Sequence, residues 1–358
     1  MKIRKWLTLA FVMCFSVNTF AQASSKAVNT IQEQTVEQLS VEQAVKKAVD
    51  YSDKLKTIDE NLEQAYDSYD STALSYNLSE DRTEILNLAT QLRTLSNQIS
   101  NYKLNSQVEQ ALLELSVKEF FADVINAQNQ LELYEQNMVI AKKQMEIDRV
   151  KQELGLITDA EYNSRINEYN SKEMELRSKK VAIDNAFKSL NTVLGVDMDK
   201  RYELVLQTEY TPFEGDSLNY TVAKALGTAQ SIIISQREYE IAQYKKENDF
   251  NSSSLSKNSN LRQSARSLSD TKLEVEKSVE DTYNQILTIE EDYTKNMARL
   301  KELEKEQEII NIKYELGKAT EIDTLTAQYN IDSLKAEIEN QIAEHSILVE
   351  KYNNPKLF

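Results

Sequence analysis

Proline and glycine are nearly absent, with two and five in 358 residues. Neither occurs from Ser24 to Leu154 or from Thr228 to Leu316. In a helix interior they cost roughly 3 and 1 kcal/mol respectively, so stretches free of both predict long uninterrupted helices. Cysteine, tryptophan and histidine occur once each, as Cys14, Trp6 and His345. One thiol excludes an internal disulfide, and one thiol with one imidazole supports neither a structural zinc site nor a Ser-His-Asp triad. Five scattered glycines make no phosphate-binding loop and no dinucleotide fingerprint. The expectation is a protein that is not an enzyme, with no metal and no cofactor. His345 is expected to pack on a helical seam.

What is abundant is charge, mostly negative. Acidic residues number 58 against 42 basic, for a net of −16. No basic stripe accompanies them, so nucleic acid is not an expected partner. Such a surplus describes a solvated helical surface or an acidic duct that favours cations. The first 23 residues read as a signal peptide. Lys2, Arg4 and Lys5 precede the apolar run Leu7–Phe20, and Ala21-Gln22-Ala23 supplies a small-x-small cleavage site. Export to the cell envelope is the expected address. Residues 24–38 are polar and without period, and read as a flexible arm.

Periodicity organises the rest. Ser40 with Gln43 three residues later makes a capping-box start for a first short helix. A second helix begins near Ser52 and runs to about Tyr69, and residues 70–81 read as a break. A long helix then extends from about Arg82 to Leu154. Val117, Val124, Leu131, Met138 and Met145 recur every seven residues, with Phe120, Ala127, Tyr134 and Ala141 three positions on, which is a coiled-coil seam. Glu153-Leu154-Gly155-Leu156-Ile157-Thr158 interrupts it. A return helix to Leu194 carries its own seam through Tyr162, Ile166, Tyr169, Leu176, Ile183, Phe187, Leu190 and Leu194.

The pattern then replays. Glu315-Leu316-Gly317-Lys318-Ala319-Thr320 matches the first interruption at a shift of 162, and Val279, Ile286, Tyr293 and Leu300 match the Val117 seam. Tyr134, Tyr293 and Tyr314 fall on seam positions and are expected to pack. The opening helix recurs at a shift of 177, where Ser217 stands for Ser40. The second half is therefore shorter between its first helix and its turn, with the deletion at or near Asn251–Asn260. The expected organisation is a first helical repeat over 39–195 with a tip at 155–161, a linker over 196–216, a second repeat over 217–352 with a tip at 317–323, and a tail over 353–358. The fold class is all-α, built of duplicated long antiparallel helical hairpins in coiled-coil packing.

Three stretches carry a family resemblance. Leu39-Ser40-Val41-Glu42-Gln43-Ala44-Val45-Lys46-Lys47-Ala48, the two Glu-Leu-Gly-x-x-Thr turns, and Leu190-Asn191-Thr192-Val193-Leu194-Gly195 together resemble the TolC-type outer membrane efflux protein family over nearly all of the chain after residue 23. The resemblance implies a TolC-like α-barrel protomer that assembles as a homotrimer around a tunnel. It implies docking of a periplasmic adaptor (membrane fusion) protein and an inner-membrane or ABC-type pump on the tips. Carried onto this sequence, the tip positions are Gly155, Thr158 and Glu161 in the first turn and Gly317, Lys318, Thr320 and Asp323 in the second.

The chain departs from that family where two β-strands per half are expected to build an outer-membrane barrel. Such strands need roughly 9–11 alternating residues each. Here Leu74, Tyr76 and Leu78 alternate for three positions, and Asn248–Asn258 is a Ser/Asn loop. Little or no β-barrel is expected. The main functional expectation is an efflux duct, and the alternative is an exported coiled-coil scaffold or spacer without transport activity.

Overall fold

The computed structural model describes residues 37–205, 209–248 and 253–358. The expected signal peptide and residues 24–36 of the expected arm lie outside them. The described elements are β1 (Glu37–Ser40), α1 (Val41–Tyr51), α2 (Asp53–Leu78), α3 (Arg82–Glu153), α4 (Asp159–Leu194), β2 (Tyr202–Val205), α5 (Leu218–Thr228), α6 (Gln230–Asn248), α7 (Ser254–Glu315) and α8 (Glu321–Asn353). A 3-10 turn at Pro355–Leu357 follows. At 1.5 Å per residue, the 72 residues of α3 extend about 110 Å.

The boundaries fall where the two shifts put them. α1 and α5 match end to end at 177, and α2 and α6 begin in register at the same shift. The ends of α3 and α7 and the starts of α4 and α8 coincide at 162. Ser40 caps α1 as the sequence suggests, its hydroxyl accepting from the Gln43 amide while the Gln43 side chain accepts from the Ser40 amide. The second half is shorter mainly where its second and third helices meet. α6 has 19 residues against 26 in α2, and α7 has 62 against 72 in α3.

Three expectations need correction. Residues 70–78 are helix rather than break, and only Ser79–Asp81 separates α2 from α3. Thr72 is buried, and Ser71 and Ser75 donate to carbonyls of the preceding turn, so packing and local bonds override weak intrinsic propensity. The Ser/Asn stretch ends early, because Ser253 caps α7 by accepting from the Ser256 amide. Residues 37 and 38 are strand rather than arm. β1 pairs in parallel with β2, which lies inside the expected linker, with Leu39 opposite Leu204. The pair holds because Leu39 and Tyr202 bury and Glu37 bridges to Lys200 at 2.7 Å.

Two core clusters fasten the end of the hairpins away from the turns. Leu39, Ala44, Ala48, Val117, Phe121, Val124, Phe187, Leu190, Leu194 and Tyr202 form the first. Ala225, Ala229, Ile232, Leu268, Val275, Val279, Ile286 and Tyr352 form the second. Val117 and Val124 correspond to Val279 and Ile286, and all four are fully buried. Nearer the turns the seam residues Leu131, Met138 and Met145 are only half-buried, since two helices alone cannot enclose a seam.

Polar ladders set the order of the long helices. Lys172 donates to Asn137 at 2.7 Å and Tyr134 to Glu175, joining α3 to α4. Lys118 meets Glu350 at 2.5 Å, Asn129 meets Glu339 at 3.0 Å, Gln136 meets Asp332 at 3.2 Å and Lys143 meets Glu321 at 2.9 Å, joining α3 to α8 in one antiparallel register. Asn296 donates to Glu337 at 2.9 Å between α7 and α8. α3 and α8 are therefore the inner pair, flanked by α4 and α7. Among the described residues no helix is long and apolar enough to cross a membrane.

Candidate functional site: the two hairpin turns

Each turn is a helix stop followed at once by a helix start. At the first, the Gly155 amide donates to the Gln152 carbonyl at 2.9 Å and the Leu156 amide to the Lys151 carbonyl at 2.8 Å. At the second, the Gly317 amide donates to Tyr314 at 2.9 Å and the Lys318 amide to Lys313 at 2.7 Å. This double bond pattern is the Schellman motif, and it requires a left-handed residue between helix end and exit. Gly155 and Gly317 supply it at φ of 68° and 67°. A side chain at either position would meet nothing within 4 Å, so the demand is one of backbone conformation and not of space.

The restart is equally matched. Thr158 caps α4, accepting from the Glu161 amide at 3.2 Å, while the Glu161 carboxylate accepts from the Thr158 amide at 2.8 Å. Thr320 and Asp323 do the same for α8, at 3.2 and 2.7 Å. Reciprocal capping satisfies amides that a helix start leaves without partners. The hydrogen bond from the Thr158 amide, reinforced by its hydroxyl, holds the Glu161 carboxyl below its ordinary range. The Thr320 amide and hydroxyl act likewise on Asp323.

All seven residues singled out from the sequence lie at these turns and are exposed: Gly155, Thr158, Glu161, Gly317, Lys318, Thr320 and Asp323. The Lys143–Glu321 pair places both turns at the same end of the described unit. Lys318 makes no ion pair among the described residues, and it occupies the position that Leu156 holds in the other turn.

One feature of this end escaped the sequence reading. Ile147, Val150 and Leu154 are exposed on the last turns of α3, and Ile309, Ile312 and Leu316 on the last turns of α7. The spacing is the same and the two sets are related by the shift of 162. Leu154 and Leu316 are 68% and 64% exposed. These six side chains lie off the heptad seam, and the sequence signal that marks them is an i, i+3, i+7 apolar set outside it. Tyr314 belongs with them. The pattern places it on the seam, yet it is 47% exposed, because the two helices of one hairpin leave part of the seam uncovered near the turn.

His345 lies far from the turns. It is buried, with Nε2 3.2 Å from a Glu290 oxygen and its ring 5.4 Å from that of Tyr210. The same Glu290 oxygen accepts from the Phe213 amide at 2.5 Å, and Tyr210 stacks on Tyr293 at 3.7 Å. These contacts strap residues 209–216 onto the α7–α8 hairpin.

No protein-family model and no curated protein matches the sequence. Solved structures do resemble it. A membrane protein from Pseudomonas aeruginosa has a TM-score of 0.65 at 10% identity, over 95% of this chain and 96% of that one. The outer membrane protein VceC from Vibrio cholerae has a TM-score of 0.60 at 12% identity, over 88% and 94%. The CmeC outer membrane channel of Campylobacter jejuni has a TM-score of 0.58 at 13% identity, over 94% of each. At such identities the likeness concerns architecture, and the long-hairpin architecture, with little strand, is what the sequence reading expected. The chain has the fold of the TolC-type outer membrane channels.

Proposed function

We propose that this protein is the helical duct component of an export assembly. In this reading the chain arose by internal duplication, is exported by its N-terminal signal, assembles as a homotrimer in the cell envelope, and receives an adaptor–pump assembly at its turns. The observation that carries the reading is the pairing of two identically built turns at one end, each beside an exposed apolar triplet in the same register. Exposed apolar side chains held on rigid, capped helix ends favour a helical partner whose own apolar residues insert between them. Three copies would place six such turns in a ring. Gly155, Thr158, Gly317 and Thr320 set the shape of each turn, and Glu161, Lys318 and Asp323 give it charge.

Sedimentation of the purified protein tests the assembly. A trimer is expected, and a strictly monomeric species across the micromolar range sinks the duct. Docking is tested by cross-linking in cells from photoreactive residues placed at Leu154 and Leu316, where an adaptor is the expected product. Recovery of no envelope partner from either position, with the same label at Gln91 as control, counts against it.

A second reading follows from the other end. Only Ser79–Asp81 separates α2 from α3, too few residues for two membrane strands. That favours an envelope scaffold or spacer without transport. Unchanged accumulation of exported dyes and drugs in a deletion strain supports it over the duct.

A further inference from the structure

The end opposite the turns has a surface that the duct reading does not use. Here α2 passes to α3 and α6 passes to α7. Asn87 and Thr90 of α3, Lys245 and Lys246 of α6, and Lys257 and Asn260 of α7 line one groove of about 980 Å³, which sets the start of α3 beside the end of α6 and the start of α7. The Arg93 guanidinium lies 5.0 Å over the Tyr244 ring, tying α3 to α6 at the same place. Leu255 and Leu78 are the most exposed large apolar side chains of the described residues, at 76% and 72%, and both stand at these passages. Leu74, one turn before Leu78, is exposed as well.

The charge here departs from the chain's acidic character. From residue 250 to 269 there is no acidic residue, while Lys257, Arg262 and Arg266 occur there. Lys245 and Lys246 end α6 and are exposed, and among the described residues neither makes an ion pair. Glu80, Asp81 and Glu84 at the α2–α3 passage, and Glu247, oppose them, so the cationic side chains belong to α6 and α7, with Lys245 and Lys246 on the groove shared with α3 and Arg262 and Arg266 on another side of α7. The turns differ: Leu154 and Leu316 each follow an acid, Glu153 and Glu315. Leucines standing clear of the surface beside a cationic face are the combination that binds an anionic lipid surface, the apolar groups entering the headgroup layer and the cations meeting phosphates.

We propose that this end docks peripherally on an anionic phospholipid surface, with Leu78 and Leu255 in the headgroup layer and Lys245, Lys246 and Arg262 against the phosphates. Contact of this kind needs no membrane-spanning strand. It does not rest on the duct reading, since a trimer indifferent to vesicles overturns this inference and leaves that one standing.

Hydrogen exchange on the full chain tests it, because the readout is local and separates this end from the apolar N-terminus. Vesicles of phosphatidylglycerol and phosphatidylcholine in equal parts are expected to slow exchange in peptides covering 78–84 and 253–266, and phosphatidylcholine vesicles are not. Lys245→Glu with Lys246→Glu should abolish that protection and weaken co-sedimentation about tenfold or more. Leu255→Asp should do the same at unchanged helicity. No protection at this end, equal protection by neutral vesicles, or undiminished protection in the lysine variant each overturns the proposal. Protection by sn-glycerol 1-phosphate alone, with none from vesicles, also overturns it by showing a site for a free phosphate ester.

Discussion

Lys143 and Glu321 meet at 2.9 Å, joining the helix that leads into one turn to the helix that leaves the other. The hydrogen bond that Lys143 donates to this carboxylate raises its ammonium above the ordinary lysine range, against a smaller desolvation that lowers it. It is the last rung of the α3–α8 ladder before the turns, so it sets how far the two turns can separate. Exposed ion pairs contribute little to global stability. Lys143→Ala is therefore expected to leave the melting midpoint within about 2 °C while speeding amide exchange in the first turns of α8. A large fall in the midpoint would show that the rung carries more than local order.

Acid should loosen both turns. Glu161 and Asp323 have ordinary values of 4.5 and 3.8, and both are lowered in the folded chain. The unfolded chain then binds protons more readily, so their contribution is complete above the unfolded values and is lost as pH falls through the lower folded ones. Protection of the amides at the starts of α4 and α8, taken against the intrinsic exchange rate at each pH, should fall below about pH 4. Glu161→Gln with Asp323→Asn should remove that response, whereas Thr158→Ala with Thr320→Ala keep the donating amides and should only weaken it, at about 1 kcal/mol per cap by urea titration.

The left-handed glycines should differ in cost by their surroundings. Gly155→Ala and Gly317→Ala meet no neighbour and carry only the backbone penalty, roughly 1–2 kcal/mol. At Gly195, with φ of 64°, an added Cβ would fall 2.1 Å from the Tyr51 ring. Gly195→Ala should therefore destabilise more than either turn substitution. Equal losses in the three denaturation curves would mean that Tyr51 moves aside freely.

Glu290 holds two groups at once, the Phe213 amide and His345. Glu290→Ala leaves a buried imidazole and a backbone donor without this acceptor, at about 1–3 kcal/mol. Proteolysis should reveal it as new cleavage within 209–216. An unchanged digest would show that the Tyr210–Tyr293 stack alone retains the strap.

Burial should rank the apolar substitutions. Ile286→Ala removes a fully buried side chain from the second core cluster and should cost about 2–5 kcal/mol. Leu78→Ser, at the exposed end of α2, should change stability by no more than about 0.5 kcal/mol. Chemical denaturation of the two variants side by side checks the ranking.

The long helices, their stops and their restarts were legible in residue order, because each rests on interactions within a few positions. Gly155 and Gly317 need only their own backbone freedom, and Thr158 with Glu161 need only a span of three residues. The seam through Val117 and Val124 was legible too, since a heptad repeat is a statement about one face. What residue order could not give was which faces meet. Asn129, Gln136 and Lys143 lie seven apart and could have paired with any helix; the fold gives them to α8. Tyr314 looks like Tyr134 in the pattern, yet one is exposed and the other half-buried, because neighbours differ along the hairpin.

The strand pair Glu37–Ser40 with Tyr202–Val205 is the clearest case of a tertiary decision. Four residues carry too little alternation to announce a strand, and a parallel partner more than 160 positions away leaves no local turn signal. The same holds for residues 70–78, whose serines favour a break until Thr72 is buried. Sequence alone determined the two glycine turns and the helices on either side of them, through short-range hydrogen bonding and periodic apolar spacing. Only the tertiary structure decided that both turns stand together at one end, that α3 and α8 form the inner pair, and that Leu154 and Leu316 share one end while Leu78 and Leu255 share the other, since each of these depends on contacts between residues far apart in the chain.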